Sequence, residues 1–133
     1  MGRGLYSIDS LSGIFVLVLD TDKERRNLIA GILRYCGALV TPVETAQGAL
    51  AIMQLLKPDV VVVDVSRPEE GALEFIRGVR ALKPEEGGEV TAVAVGDESA
   101  SAEVARTRGF DGYLPKPIDP WRLCQLVSDL VAR

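Results

Sequence analysis

The sequence predicts an α/β fold: a doubly wound, five-stranded parallel sheet in a single domain. Three observations predict it. Short apolar runs alternate with helical patterns from Gly13 to the end of the chain. The runs are apolar throughout, as in Val60-Val61-Val62-Val63, which is the signature of strands covered on both faces. And the runs end on charged residues, Asp20, Asp64 and Lys116, at the strand ends where open α/β sheets gather their chemistry. With 133 residues, 47% of them apolar, the chain fits one domain with one core.

Each element has its own warrant. Phe15–Leu19 reads as a buried strand. Lys23–Cys36 reads as a helix with Leu28, Ile29, Ile32, Leu33 and Cys36 on one face and Gly37 as its stop. Leu39–Val43 is a second strand. Ala46–Leu56 is a helix with Leu50, Met53 and Leu56 inward, ended ahead of Pro58. Val60–Val63 is the third strand, and Ala72–Leu82 a helix turning Phe75, Ile76, Val79 and Leu82 inward. Thr91–Val95 is the fourth strand, Ser101–Arg108 a short helix closed by Gly109, and Tyr113–Leu114 a brief fifth strand. Asp119 caps the last helix and Pro120 takes its first position. Residues 1–12 are polar and glycine-rich and read as a leader or linker, which leaves 13–133 as the domain. Right-handed crossovers leave few topologies. The flavodoxin-like order 2-1-3-4-5, taken from the fold class rather than from the spacing, puts Asp20 and Asp64 together at the switch point.

Composition removes several functions. The net charge is −4 and no Lys/Arg stripe offers itself to nucleic-acid phosphate. The longest apolar run is too short to cross a bilayer, and Met1-Gly2-Arg3-Gly4 lacks the apolar stretch of a secretory signal. There is no histidine, so the chain holds no Ser-His, Cys-His or His-metal site. Cys36 and Cys124 read as core thiols of a cytoplasmic protein, a disulfide between them being the alternative. Two acids and a lysine in one crevice suit a divalent cation and a phosphoryl group.

Three segments, together spanning nearly the whole chain, resemble the receiver domains of bacterial two-component response regulators. They are Val16-Leu17-Val18-Leu19-Asp20, Pro58-Asp59 through Asp64-Val65-Ser66-Arg67-Pro68, and Gly109-Phe110-Asp111-Gly112-Tyr113-Leu114-Pro115-Lys116-Pro117-Ile118-Asp119. The resemblance implies that Asp64 accepts a phosphoryl group from a phosphohistidine of a histidine kinase or histidine phosphotransfer protein. It implies Mg²⁺ held by Asp20, Asp64 and the Ser66 backbone carbonyl, and Lys116 paired with a phosphoryl oxygen. It also implies a cis Lys116–Pro117 bond, an aromatic switch at Tyr113, and a downstream protein on the face of the fourth helix, fifth strand and fifth helix.

The chain departs from the family pattern in places. Thr21 stands where a second acid is usual, so Mg²⁺ should bind weakly. Asp22 then reads as a helix cap or first-turn charge. Gly96 stands where a Ser or Thr is usual, so Tyr113 reads as partly buried packing rather than a live switch. The segment Gly96–Gly109 is short for the family, which points to a displaced fourth helix. Arg67 reads as a solvated loop charge, with pairing to Asp20 or Asp64 as the alternative. Arg25-Arg26 reads as a solvated helix face, the face that meets the kinase in this family, and Trp121 as packing on the flank of the last helix. A phosphorylation-independent docking module is the first alternative function. The second is a phosphatase: Asp20-Thr21-Asp22 resembles the nucleophile motif of haloacid-dehalogenase-type enzymes, with Asp20 as nucleophile and Asp22 as general acid. That reading leaves Asp64 and Lys116 without a role.

Overall fold

The computed structural model describes residues 10–66, 70–97 and 102–132. Its elements are β1 (Phe15–Leu19), α1 (Lys23–Tyr35), β2 (Leu39–Val43), α2 (Ala46–Leu56), β3 (Val60–Asp64), α3 (Glu70–Arg80), β4 (Thr91–Gly96), α4 (Ala102–Thr107), β5 (Gly112–Pro115) and α5 (Pro120–Val131). The strands form one parallel sheet in the order β2-β1-β3-β4-β5. The expected architecture and strand order are both present. Pro42 and Pro115 lie on the two edge strands, where a missing N–H interrupts no interior ladder.

Strand alternation divides the core between the two faces. Val60 and Val62 of β3 face one side and pack with Ile29 and Leu33 of α1 and Leu123 and Val127 of α5. Val61 and Val63 face the other and pack with Ala49 and Met53 of α2 and Phe75 and Ile76 of α3. Every residue of β3 is buried, including Asp64. The helix ends follow local chemistry. Asp22, Thr45 and Asp119 accept backbone N–H groups as N-caps. Gly37 follows the first helix at φ 100°, a conformation that glycine adopts without a Cβ clash.

Several expectations need correction. Leu11, placed by sequence in the leader, is fully buried, and its N–H donates to the Cys36 carbonyl at 2.8 Å. Residues 1–9 lie outside the described residues. Leu28 and Leu56, expected inward, are exposed, because each sits at the border of its helix's apolar stripe rather than at its centre. The third helix starts and ends about half a turn earlier than its apolar pattern suggested. Leu82 is half-buried in the following turn, ahead of a short 3₁₀ segment, Pro84–Glu86, that periodicity could not reveal. Cys36 and Cys124 are free, buried thiols.

Candidate functional site

The site is built at the carboxyl ends of the central strands. Asp20 follows β1, Asp64 is the last residue of β3, and Lys116 follows β5. Because β1 and β3 are in register from Val16–Val60 to Leu19–Val63, the two carboxylates emerge side by side. Their side chains are 0% and 2% exposed. Lys116 Nζ reaches Asp64 Oδ2 at 2.8 Å and the Ser66 hydroxyl at 2.5 Å. The Lys116–Pro117 peptide is cis. The Ser66 N–H donates to Asp64 Oδ1 at 2.8 Å, which fixes the carboxylate plane. Asp64 Oδ2 accepts no hydrogen bond of good geometry among the described residues, although it is buried. A polar atom so placed is expensive unless charge or a ligand compensates it.

The compensation includes a residue that sequence reasoning missed. Arg25 and Arg26 are not a solvated face. The Arg25 Nε–H donates to Asp20 Oδ2 and Nη2 donates to Asp20 Oδ1, each at 2.9 Å. The same Nε lies 2.9 Å from Asp64 Oδ2. Its N–H points at Asp20, so it faces Asp64 as a charge. Arg26 Nη1 donates to the Asp20 backbone carbonyl at 2.9 Å. The helix cap produces this arrangement. Asp22 is the N-cap and accepts the Arg25 N–H at 3.0 Å, so Arg25 sits in the first turn with its side chain able to reach back over the end of β1. Only the cap half of this was legible: Asp22 followed by an apolar periodic run signals a helix start, but nothing in the sequence says which arginine turns inward.

The pKa shifts follow from the geometry. Burial raises the Asp20 carboxyl above its ordinary value, against the lowering pull of the Arg25 hydrogen bond. The Asp20 hydrogen bond raises Arg25 in turn. The backbone N–H of Arg25 holds the exposed Asp22 carboxyl low.

Thr21 is exposed and lines the pocket of about 270 Å³ that also contains Asp20, Arg25, Asp64 and Ser66. Tyr113 is half-buried and donates its hydroxyl proton to the Asp97 carbonyl. Its ring rests over Gly96: a Cβ built there would lie 3.5 Å from Tyr113 Cε1 and 2.9 Å from Val65 Cγ2. The space of a Ser or Thr side chain is thus taken by the neighbours. Arg67 and Ser101, the expected first residue of the fourth helix, lie outside the described residues.

A parallel sheet in this order, with acids after strands 1 and 3 and a lysine after strand 5, defines a class of small signalling domains. Residues 16–128 match the response regulator receiver domain family, and the chain belongs to that family. An uncharacterized 14.6 kDa protein of Leptolyngbya boryana is 33% identical, over 91% of this chain and 92% of that protein. Probable histidine kinase 4 of Oryza sativa subsp. japonica is 30% identical over 89% of this chain, which spans only 14% of that relative. A putative response regulator from Chloroflexus aurantiacus shares the fold with a TM-score of 0.82 at 21% identity, over 90% of this chain and 98% of that one. The receiver domain of the sensor histidine kinase PA1611 from Pseudomonas aeruginosa, described with a magnesium ion coordinated in its active-site cleft, has a TM-score of 0.80 at 22% identity. It covers 92% of this chain and 100% of that one. The protein is therefore a receiver domain of two-component signalling, a family whose role is phosphorylation on aspartate and whose members typically bind Mg²⁺ and interact with histidine kinases or phosphotransfer proteins.

The donor set does not fit Mg²⁺ as it stands. That ion asks for near-octahedral oxygens at about 2.0–2.1 Å. Both Asp20 oxygens are committed to Arg25, and Asp64 lies between Arg25 and Lys116. Thr21 adds no charge, and no cluster of three or more acid, histidine or cysteine ligands exists among the described residues.

Proposed function

We propose that this domain accepts a phosphoryl group on Asp64 from a phosphohistidine of a partner protein. One observation carries the reading: Asp64 Oδ2 is a buried carboxylate oxygen with lone pairs uncommitted to hydrogen bonds, flanked by two cations. In the transfer, Oδ2 attacks phosphorus in line. A P–O bond forms as the P–N bond to the imidazole breaks, and the leaving imidazole is neutralised by a proton from solvent. Lys116 is 2.8 Å from the attacking oxygen and can follow the charge onto the phosphoryl oxygens, where a fixed cation stabilises the transfer. The Ser66 N–H holds the other oxygen, Oδ1, so that Oδ2 is the one presented.

The partner is a histidine kinase or a histidine phosphotransfer protein, met in the cytoplasm. Its docking surface is the groove of about 480 Å³ between α1 and α5, where Leu28, Tyr35 and Trp121 leave 53%, 65% and 45% of their surface exposed. Phosphorylation-independent docking is the second reading, and the ion pairing of Asp20 by Arg25 favours it, since both strand-end carboxylates already face fixed cations. The phosphatase reading loses its support: Asp20 has both oxygens engaged and Asp22 is a helix cap.

Incubation with acetyl phosphate, read by intact mass, separates these readings. The wild type and Asp20→Asn should gain one phosphoryl group and Asp64→Asn none. Labelling of Asp64→Asn but not of Asp20→Asn would support the phosphatase, and no labelling of any form would support the fixed dock.

A further inference from the structure

The gap between the two carboxylates is already filled by a cation. Asp20 and Asp64 contribute two negative charges, and Arg25 and Lys116 contribute two positive ones, all within ion-pair distance. Of the two acids Lys116 pairs with Asp64, whereas Arg25 Nε touches both at 2.9 Å. A single atom equidistant from two carboxylates stands where a divalent ion would have to stand to be shared by them. The guanidinium is also well held. Its backbone N–H is bonded to the cap Asp22, its Nη2 to Asp20 Oδ1, and Asp22 adds a weaker charge contact at 3.6 Å.

We propose that Arg25 is a tethered counter-ion that takes the divalent cation's place between Asp20 and Asp64. A metal ion must displace it to bind. The proposal rests on the reading of this pocket as the receiver site and assigns Arg25 the regulation of its metal affinity. The displacement is unfavourable for two reasons. Breaking the pair leaves a guanidinium without its partners, and Thr21 supplies no third carboxylate beside Asp20 and Asp64. Arg25 also cannot give up its charge as a lysine could, so pH offers no easy way of releasing the site.

The test measures Mg²⁺ binding by titration calorimetry, with no phosphoryl donor present, so its outcome is independent of whether Asp64 is ever phosphorylated. Arg25→Gln should bind Mg²⁺ at least about tenfold more tightly than the wild type, because one buried charge competitor is gone. Thr21→Asp, which adds an acid but keeps Arg25, should gain less than Arg25→Gln. Equal or weaker binding by Arg25→Gln, or a larger gain from Thr21→Asp, overturns the proposal. If Arg25→Gln does not fold, the Nε–H resonance of Arg25 in the wild type decides. It should stay in its paired position with millimolar Mg²⁺ and move only at concentrations where calorimetry shows binding; a resonance that never reports pairing with the carboxylates overturns the proposal.

Discussion

Asp20 shows how a single carboxylate can be both paired and strained. Burial and the Asp64 charge push its proton affinity up while Arg25 pulls it down, and burial is the larger effect. Folded Asp20 therefore takes up its proton at a higher pH than the unfolded chain does. Its ionisation weakens the fold, so this residue's contribution to stability falls as pH rises from the ordinary value of 3.8 through the higher folded value, and is level above it. Asp20→Asn removes that fall. The difference in Tm between Asp20→Asn and the wild type, followed by circular dichroism, should move in favour of the variant as pH rises across this window. A difference that moves against the variant would show that pairing, not burial, dominates at Asp20. The residue scale is also where sequence reading was thinnest. Asp20, Asp64 and Lys116 were legible because each closes an apolar run, and the structure brings all three into one ion-paired cluster. Arg25 was not legible, because i, i+3 and i+4 spacing on an exposed helix start says nothing about a side chain reaching backwards. Arg80 was missed for a related reason. It donates to the carbonyls of Gly109, Gly88 and Val90, three groups far from it in sequence or across turns.

At the scale of elements, apolar patterns located the five strands and five α-helices of the described residues, and apart from the short 3₁₀ segment the errors fall at their ends. The hydrophobic run that predicts β3 stops at Val63, while the ladder continues through the Asp64–Val95 pair, since hydrogen bonding does not depend on side-chain polarity. The start of the domain was misplaced because Leu11 is an isolated apolar residue in a polar stretch, and a single residue carries no period. Its burial makes the 10–13 turn part of the fold: Leu11 receives the Ile14 N–H on its carbonyl and donates to Cys36, closing the floor beneath α1. Leu11→Ala should therefore destabilise the domain by about 2–5 kcal/mol in urea unfolding, as buried leucines do. A change within about 0.5 kcal/mol, typical of a surface site, would return Leu11 to the leader.

Across the whole molecule, the question is how a phosphoryl group on Asp64 could alter a surface on the other side of β4. Coupling needs two states whose energies the phosphoryl group separates. Here Tyr113 rests over Gly96 with its hydroxyl bonded to the Asp97 carbonyl, and Gly96 offers no hydroxyl to connect that ring to Asp64. Phosphorylation should thus shift the Tyr113 ring little. Amide spectra with and without saturating beryllofluoride and Mg²⁺ should change around residues 20, 64–66 and 116 and stay nearly constant across α5; broad shifts through 112–131 would reveal a second coupling route. A domain without that coupling would serve as a phosphoryl relay or a fixed dock, with the apolar α1–α5 groove as its proposed contact with the partner. The proposed function turns on where the phosphoryl group goes. Treating the acetyl-phosphate-labelled protein with borohydride converts an aspartyl phosphate to homoserine, which tandem mass spectrometry locates in the chain. Homoserine should appear at position 64 alone. Homoserine at position 20, or none in a protein whose intact mass shows labelling, would contradict it.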